Sequence, residues 1–260
     1  MFTNPFAALS IAPGLMQGYV VLMAVLVAAG TLFDIVHKGS AKYFFDNFRR
    51  SKGRPLGGGE LIGIGVKTAV VDVLASGEFC NAKRRIAHLL TMYGFILHVV
   101  ATVALVFGGT SEAWPNLWWI GGIMTLVGGY WFWFFIRVDV AAEGSSPLRV
   151  MRADLFVLSL LASVTLGLLW AWLQSSVLFA CYLLATTVLF AGVPWSKFAH
   201  MFFKPAAAFE KRVSRANTAD NLPMQTRDDP EQQKRHSMEL LRDAPMDMGL
   251  GIKREAPRHY

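Results

Sequence analysis

Apolar residues are gathered along this chain in long uninterrupted blocks rather than at the three-and-four spacing of a soluble amphipathic helix. Five blocks reach the roughly 20 residues that cross about 30 Å of hydrocarbon. They span residues 15–36, 86–108, 117–136, 154–173 and 176–199. Gly108-Gly109 and Trp114-Pro115-Asn116 separate the second block from the third, while only Gln174 and Ser175 break the fourth from the fifth. The pattern predicts an all-α integral membrane bundle of five transmembrane helices occupying residues 1–205. Between the first two blocks, LIGIGVKTAVVDVLAS (61–76) is apolar but short and carries Lys67 and Asp72, which predicts an interfacial or packed helix. From 206 to 260 the chain is polar, mixed in charge and interrupted by Pro223, Pro230, Pro245 and Pro257. That composition predicts a polar tail, disordered alone or folded on a partner.

Charge then gives the bundle a direction. All 25 lysines and arginines fall in 37–85, in 137–153 or from Lys197 onward. The positive-inside rule places those segments in the cytoplasm, with the amino terminus outside and the carboxyl terminus inside. Trp114, Trp118 and Trp119, with Trp170 and Trp172, are then expected as an aromatic belt at the outer interface. The net charge of +7 reports topology and contact with anionic lipid rather than nucleic-acid binding. The opening MFTNPFAAL carries no charge, so the first block reads as a retained helix rather than a cleaved signal. Cys80 and Cys181 form no CxxC pair or disulfide framework, and no CxxCH haem attachment site occurs. Glycines 121, 122, 128 and 129 read as close helix packing.

Histidines carry the candidate chemistry, because polar groups at membrane depth are costly and usually functional. His236 and His259 lie in the polar tail, and His37 follows the first block as an interface residue. His88 lies four residues beyond Arg84, and His200 four residues before Lys204 on a helix running the opposite way. Both are therefore expected about 6 Å inside the cytoplasmic boundary. Taken singly, each reads first as a snorkelling side chain. As a pair, two neutral imidazoles at one depth fit the bis-histidine clamp of a b-type haem, with Arg84, Arg85 and Lys197 to neutralise its propionates. His98 lies about 15 Å further along, suited to a second haem. Its partner is not evident. The matching stretch of the fifth block offers Tyr182, Cys181 and two threonines, while Met124 and Met23 come to similar depth on other helices. A His/Met haem, a hydrogen bond to a quinone and a bond to a neighbouring helix all stay open for His98.

The block EFCNAKRRIAHLLTMYGFILH (78–98) resembles the cysteine, arginine, histidine and YGF pattern in the haem b subunit of the quinone-interacting membrane-bound oxidoreductase complex. PWSKFAHMFFKP (194–205) resembles the fifth-helix signature of the wider nitrate reductase gamma subunit superfamily. The resemblance covers roughly 15–210, and a short chain without a fused iron-sulfur domain looks most like the membrane anchor of dissimilatory adenylylsulfate reductase. It implies a multi-pass subunit of the bacterial cytoplasmic membrane that relays electrons between a cytoplasmic iron-sulfur/flavin oxidoreductase and the quinone pool. It implies an electron-transfer subunit rather than a complete enzyme, with haem b as cofactor and quinone as substrate. His88 and His200 match its haem-ligand positions and His98 the second ligand on the same helix. The chain departs from two-haem members near Tyr182, where they carry another histidine. A haem-free anchor for a soluble redox enzyme is the alternative. A small transporter is disfavoured by the lack of an inverted repeat.

Overall fold

The computed structural model describes residues 2–7, 9, 11–38, 54–77, 79, 81–137, 150, 154–195 and 200–217, with side chains left out at 38 and 200–204. Every regular element among them is helical. The elements are α1 (Pro13–Lys38), α2 (Gly58–Lys67), α3 (Ala82–Val106), α4 (Ala113–Trp131), α5 (Leu155–Leu173), α6 (Ser176–Ala191) and α7 (His200–Ala216). π-Helical stretches continue α2 as Thr68–Leu74 and α4 as Phe132–Ile136. The first of these begins where the Thr68 hydroxyl donates to the Ile64 carbonyl at 2.8 Å, a back-bond that bends helices.

Four helices are long and apolar enough to cross a membrane: α1, α3, α4 with its π extension, and α5. Their outward residues are apolar, with Val25, Leu32, Ile123 and Phe135 each at least 46% exposed, the reverse of a water-facing surface. The fifth apolar block, expected over 176–199, is helical only to Ala191. Its 16 residues rise about 24 Å, and a 3₁₀ turn over Val193–Trp195 follows, where Pro194 supplies no amide donor. α3 starts at Ala82, earlier than expected, because the Asn81 side chain caps it by accepting from the backbone N–H groups of Lys83 (2.9 Å) and Arg84 (3.3 Å).

α3 lies along α4, α4 against α5 and α5 against α6, while α1 closes on α6 and α3. Glycine sets the closest pair. A Cβ on Gly121 would sit 2.6 Å from the His98 amide nitrogen and 2.7 Å from the Gly94 carbonyl oxygen. One on Gly128 would sit 2.6 Å from the Ala87 carbonyl oxygen, so the two backbones touch. The close-packing expectation for these glycines is met. The aromatic belt is met only in part: Trp118 and Trp170 are 0% and 1% exposed inside the core. Phe6 packs against both, with ring centroids 6.0 and 5.3 Å away, and Phe2 stacks on Trp119 at 5.1 Å. The amino-terminal segment therefore covers rings that composition alone assigns to an interface. Trp172 at the end of α5 is 75% exposed, as a belt residue should be.

At the other end of the bundle α2, its π extension and α7 pack together. Arg212 of α7 grips Asp72 with Nε at 2.6 Å and Nη2 at 2.9 Å, and the Arg54 amide donates to the Asn217 carbonyl at 3.0 Å. The segment from 206, expected as part of a polar tail, is thus docked helix as far as Ala216, and residues from 218 lie outside the described ones. Nearby, Arg137 at the end of α4 pairs with Asp154 before α5: Nε donates to Oδ1 at 3.1 Å, and Nη2 donates to Oδ2. The same guanidinium lies 3.9 Å over the Trp133 ring.

Candidate functional site

A cavity of about 390 Å³ lies between α1, α3, α5 and α6, within the size range of small-molecule and cofactor sites. His98 forms part of its wall and is 4% exposed. Its Nδ1 lies 2.8 Å from the Trp118 carbonyl oxygen of α4. A carbonyl only accepts, so Nδ1 carries the proton and the neutral ring presents the Nε2 lone pair. That nitrogen is buried with no hydrogen-bond partner. Gly122 makes room for the arrangement, since a Cβ there would sit 3.2 Å from Nδ1 and 2.9 Å from Leu168 Cδ2. The Trp118 ring lies 4.5 Å from the imidazole, and its Nε1 donates to Thr102 Oγ1 at 2.9 Å. Thr102 Oγ1 donates in turn to the His98 carbonyl at 2.7 Å, so α3 and α4 hold the histidine through both backbone and ring.

The other polar groups of the wall are engaged with one another. Tyr19 Oη lies 2.9 Å from the Leu183 carbonyl oxygen and 3.0 Å from Thr187 Oγ1. Ser163 and Thr186 share a hydrogen bond of 2.7 Å. What remains able to bind a ligand is His98 Nε2, the Tyr182 hydroxyl and the thioethers of Met16 and Met23, all on residues that line the cavity.

A buried imidazole with one nitrogen anchored to a carbonyl and the other left without a partner has the form of a metal-ligating histidine. A haem iron would take that nitrogen as one ligand. None of the lining residues is a lysine or arginine, so any propionate contact would lie beyond the cavity wall. Among the described residues no group of three or more His, Cys, Asp or Glu could hold a bare metal ion.

Of the residues expected in a site, Met23 and Tyr182 share the cavity with His98, whereas Met124 packs on Gly94 at the α3–α4 contact. His88 does not line the cavity. It is half-buried, with Nδ1 3.0 Å from Ser76 Oγ and its ring 4.8 Å from that of Phe79. Arg85 Nε donates to the Ala75 carbonyl at 2.8 Å, and Arg84, in the first turn of α3, lies about 20 Å along the helix from His98. Neither arginine serves the His98 cavity. The side chain of His200, all of Lys197 and Cys80 lie outside the described residues, and so does the expected pairing of His88 with His200. His37 stacks on Phe33 at 5.0 Å, in keeping with an interface position. Thr186, one of the two threonines of the fifth block, lies in the wall as well; Tyr19 and Ser163 are not expected from the sequence, although each is a hydroxyl inside an otherwise apolar run.

No family model and no solved structure matches the chain. The "Citrate utilization protein B" of Escherichia coli is 32% identical to it over 157 residues, covering 53% of this chain and 41% of that protein. The chain therefore spans about two fifths of the length of that curated relative.

Proposed function

We propose that this chain is a membrane cytochrome b-type subunit that relays electrons between a cytoplasmic iron-sulfur/flavin oxidoreductase and the quinone pool. The observation that carries the reading is His98, whose Nε2 lone pair stands without a partner in the wall of an apolar cavity. A haem b bound there supplies a one-electron carrier. The chain's own residues do the rest: His98 ligates, the Trp118 carbonyl fixes its tautomer, and the apolar wall excludes water. In this reading α6 completes a fifth crossing together with Val193–Trp195, and the basic end, with His88, Arg84, Arg85 and α7, faces the cytoplasm. His88 and His200 are proposed to ligate an inner haem, with Arg84, Arg85 and Lys197 near its propionates. The soluble partner we favour from the resemblance is adenylylsulfate reductase; the name of the E. coli relative points instead to citrate utilisation.

The test is a dithionite-reduced minus air-oxidised spectrum of the full chain purified with haem supplied. An α-band is expected, and His98→Ala should remove one haem equivalent by pyridine haemochrome assay while His88→Ala leaves that equivalent in place. A wild-type protein with no α-band would establish the haem-free anchor instead. Co-purification with each candidate enzyme decides the partner.

A further inference from the structure

We infer that α2 and its π extension form a lipid-binding platform: one side packs on α7, and the other lies in the plane of a membrane leaflet that carries anionic headgroups. No residue of α2 or its extension lines the His98 cavity, so this surface is separate from it. Ile62, Val66, Val70 and Leu74 recur at every fourth position, which sets them on one side of a helix, and each is at least 51% exposed. The other side is covered. Thr68 is buried, and a Cβ on Gly65 would meet the Phe209 ring of α7 at 3.9 Å. Gly58–Lys67 with Thr68–Leu74 is too short for a further crossing and carries Lys67 and Asp72. Asp72 is taken up by Arg212 of α7, which leaves the apolar stripe without an acid of its own.

Three bonds show what covers the stripe. Tyr93 Oη donates to the Leu74 carbonyl at 2.7 Å, Arg85 Nε donates to the Ala75 carbonyl at 2.8 Å, and Ser76 Oγ lies 3.0 Å from His88 Nδ1. All three partners belong to the first half of α3, and Tyr93 lies eight residues, about 12 Å, beyond Arg85. Leu74 therefore sits beside the stretch of α3 whose outward residues Ile86, Tyr93 and Ile96 are exposed on a membrane-crossing helix. The apolar surface of α3 meets the stripe at the Tyr93–Leu74 bond, so the hydrocarbon that bathes one reaches the other. Charge selects the headgroups. Lys67 follows Val66 at the rim of the stripe and is exposed, and its charge and that of Lys211 both act on Asp72. Arg54, Lys67, Lys211, Arg212 and Arg215 outnumber Glu60, Asp72 and Glu210 here. Lysine beside an apolar face is the composition of helices that lie on anionic membranes.

The experiment uses the full chain with Cys80→Ser and Cys181→Ser, in nanodiscs of phosphatidylcholine alone or mixed with phosphatidylglycerol. Val66→Cys, Val70→Cys or Ile96→Cys is spin-labelled, and relaxation by oxygen is compared with relaxation by a water-soluble nickel chelate. Labels at 66 and 70 are expected to favour oxygen, as the lipid-facing label at 96 does. A preference for the chelate would put the stripe in water, and shielding from both would put it under protein; either result overturns the platform. Hydrogen exchange of α2 then tests the headgroups. It should be slower with phosphatidylglycerol than without, and Lys67→Gln with Lys211→Gln should abolish that difference whatever the absolute rates become. Equal exchange of the unaltered chain in the two lipids, or a difference that survives both substitutions, overturns the recognition of anionic lipid by these lysines.

Discussion

Two histidines ten residues apart on α3 sit in environments built by different means. Around His98 the bundle is dry: glycines bring α3 and α4 into backbone contact, hydroxyls satisfy one another, and no lysine or arginine lines the cavity. Around His88 the neighbours are a serine, a phenylalanine ring and a loop, and beyond them the structure is held by ion pairs. One region depends on shape, which salt and acid leave alone. The other depends on charge, which both weaken. The difference matters for function because a redox centre in the first region is insulated from water, while the second offers groups that can respond to a partner.

The largest effects should come from breaking each region at its least forgiving contact. Arg137 and Asp154 are 6% and 14% exposed in their side chains, so Arg137→Ala removes a bidentate guanidinium from a nearly buried carboxylate. A loss of about 3 to 5 kcal/mol is expected in a denaturant titration in detergent. Gly121→Ala tests the dry region. Its methyl would press on backbone atoms 2.6 and 2.7 Å away, which only a shift of a whole helix relieves, and about 1 to 3 kcal/mol is expected. Gly121→Ala should also lower haem content because it displaces the His98 backbone, whereas Arg137→Ala at equal residual folding should not. If both lower haem content alike, the two regions are one cooperative unit and the contrast fails.

This contrast was only half legible in the sequence. The four long helices were, because an apolar run of sufficient length leaves few other structures for the chain. His98 was flagged for the same reason: a polar ring inside such a run needs a purpose. The cavity was not, because which faces of α1, α5 and α6 meet depends on helix rotations that a uniformly apolar sequence does not encode. Trp118 and Trp170 were misplaced for a related reason. An interfacial tryptophan and a core tryptophan look alike until the Phe6 segment is seen to fold over them. α7 was hidden by its charge, although Phe209 and Val213 are four residues apart and Val213 is buried in the platform that α7 forms with α2 and its π extension.

Smaller effects test the charged region alone. The hydrogen bond from Arg212 holds the Asp72 carboxyl below its usual range, helped by the charges of Arg212, Lys211 and Lys67. Since the folded value is depressed, the stabilisation is complete above the unfolded carboxylate value of about 4 and is lost as pH falls through the lower folded one. Hydrogen exchange of α7 should therefore accelerate on going from neutral pH to acid. Asp72→Asn should bring the fast rate to neutral pH, a local cost of about 1 kcal/mol at most for a partly exposed pair. Spectra of a haem at His98 should be unchanged throughout. Movement of both together would show that the platform and the cavity communicate.

The smallest effect concerns Arg54, which makes two separable ties. Its guanidinium meets Glu60 at 2.6 Å, but both side chains are about half exposed, 51% and 46%. Water and salt compete for such a pair, so Arg54→Ala should leave thermal unfolding unchanged. Its backbone N–H reaches the Asn217 carbonyl at 3.0 Å, and this tie holds the end of α7 whatever the side chain is. Arg54→Pro removes that donor as well as the charge. The proline variant alone should then show faster exchange over the last turn of α7, read against the alanine variant as control. Equal acceleration in both would mean that the exposed ion pair, and not the backbone, anchors that end, and the charged region would extend further from α3 than Asp72 and Arg212 imply.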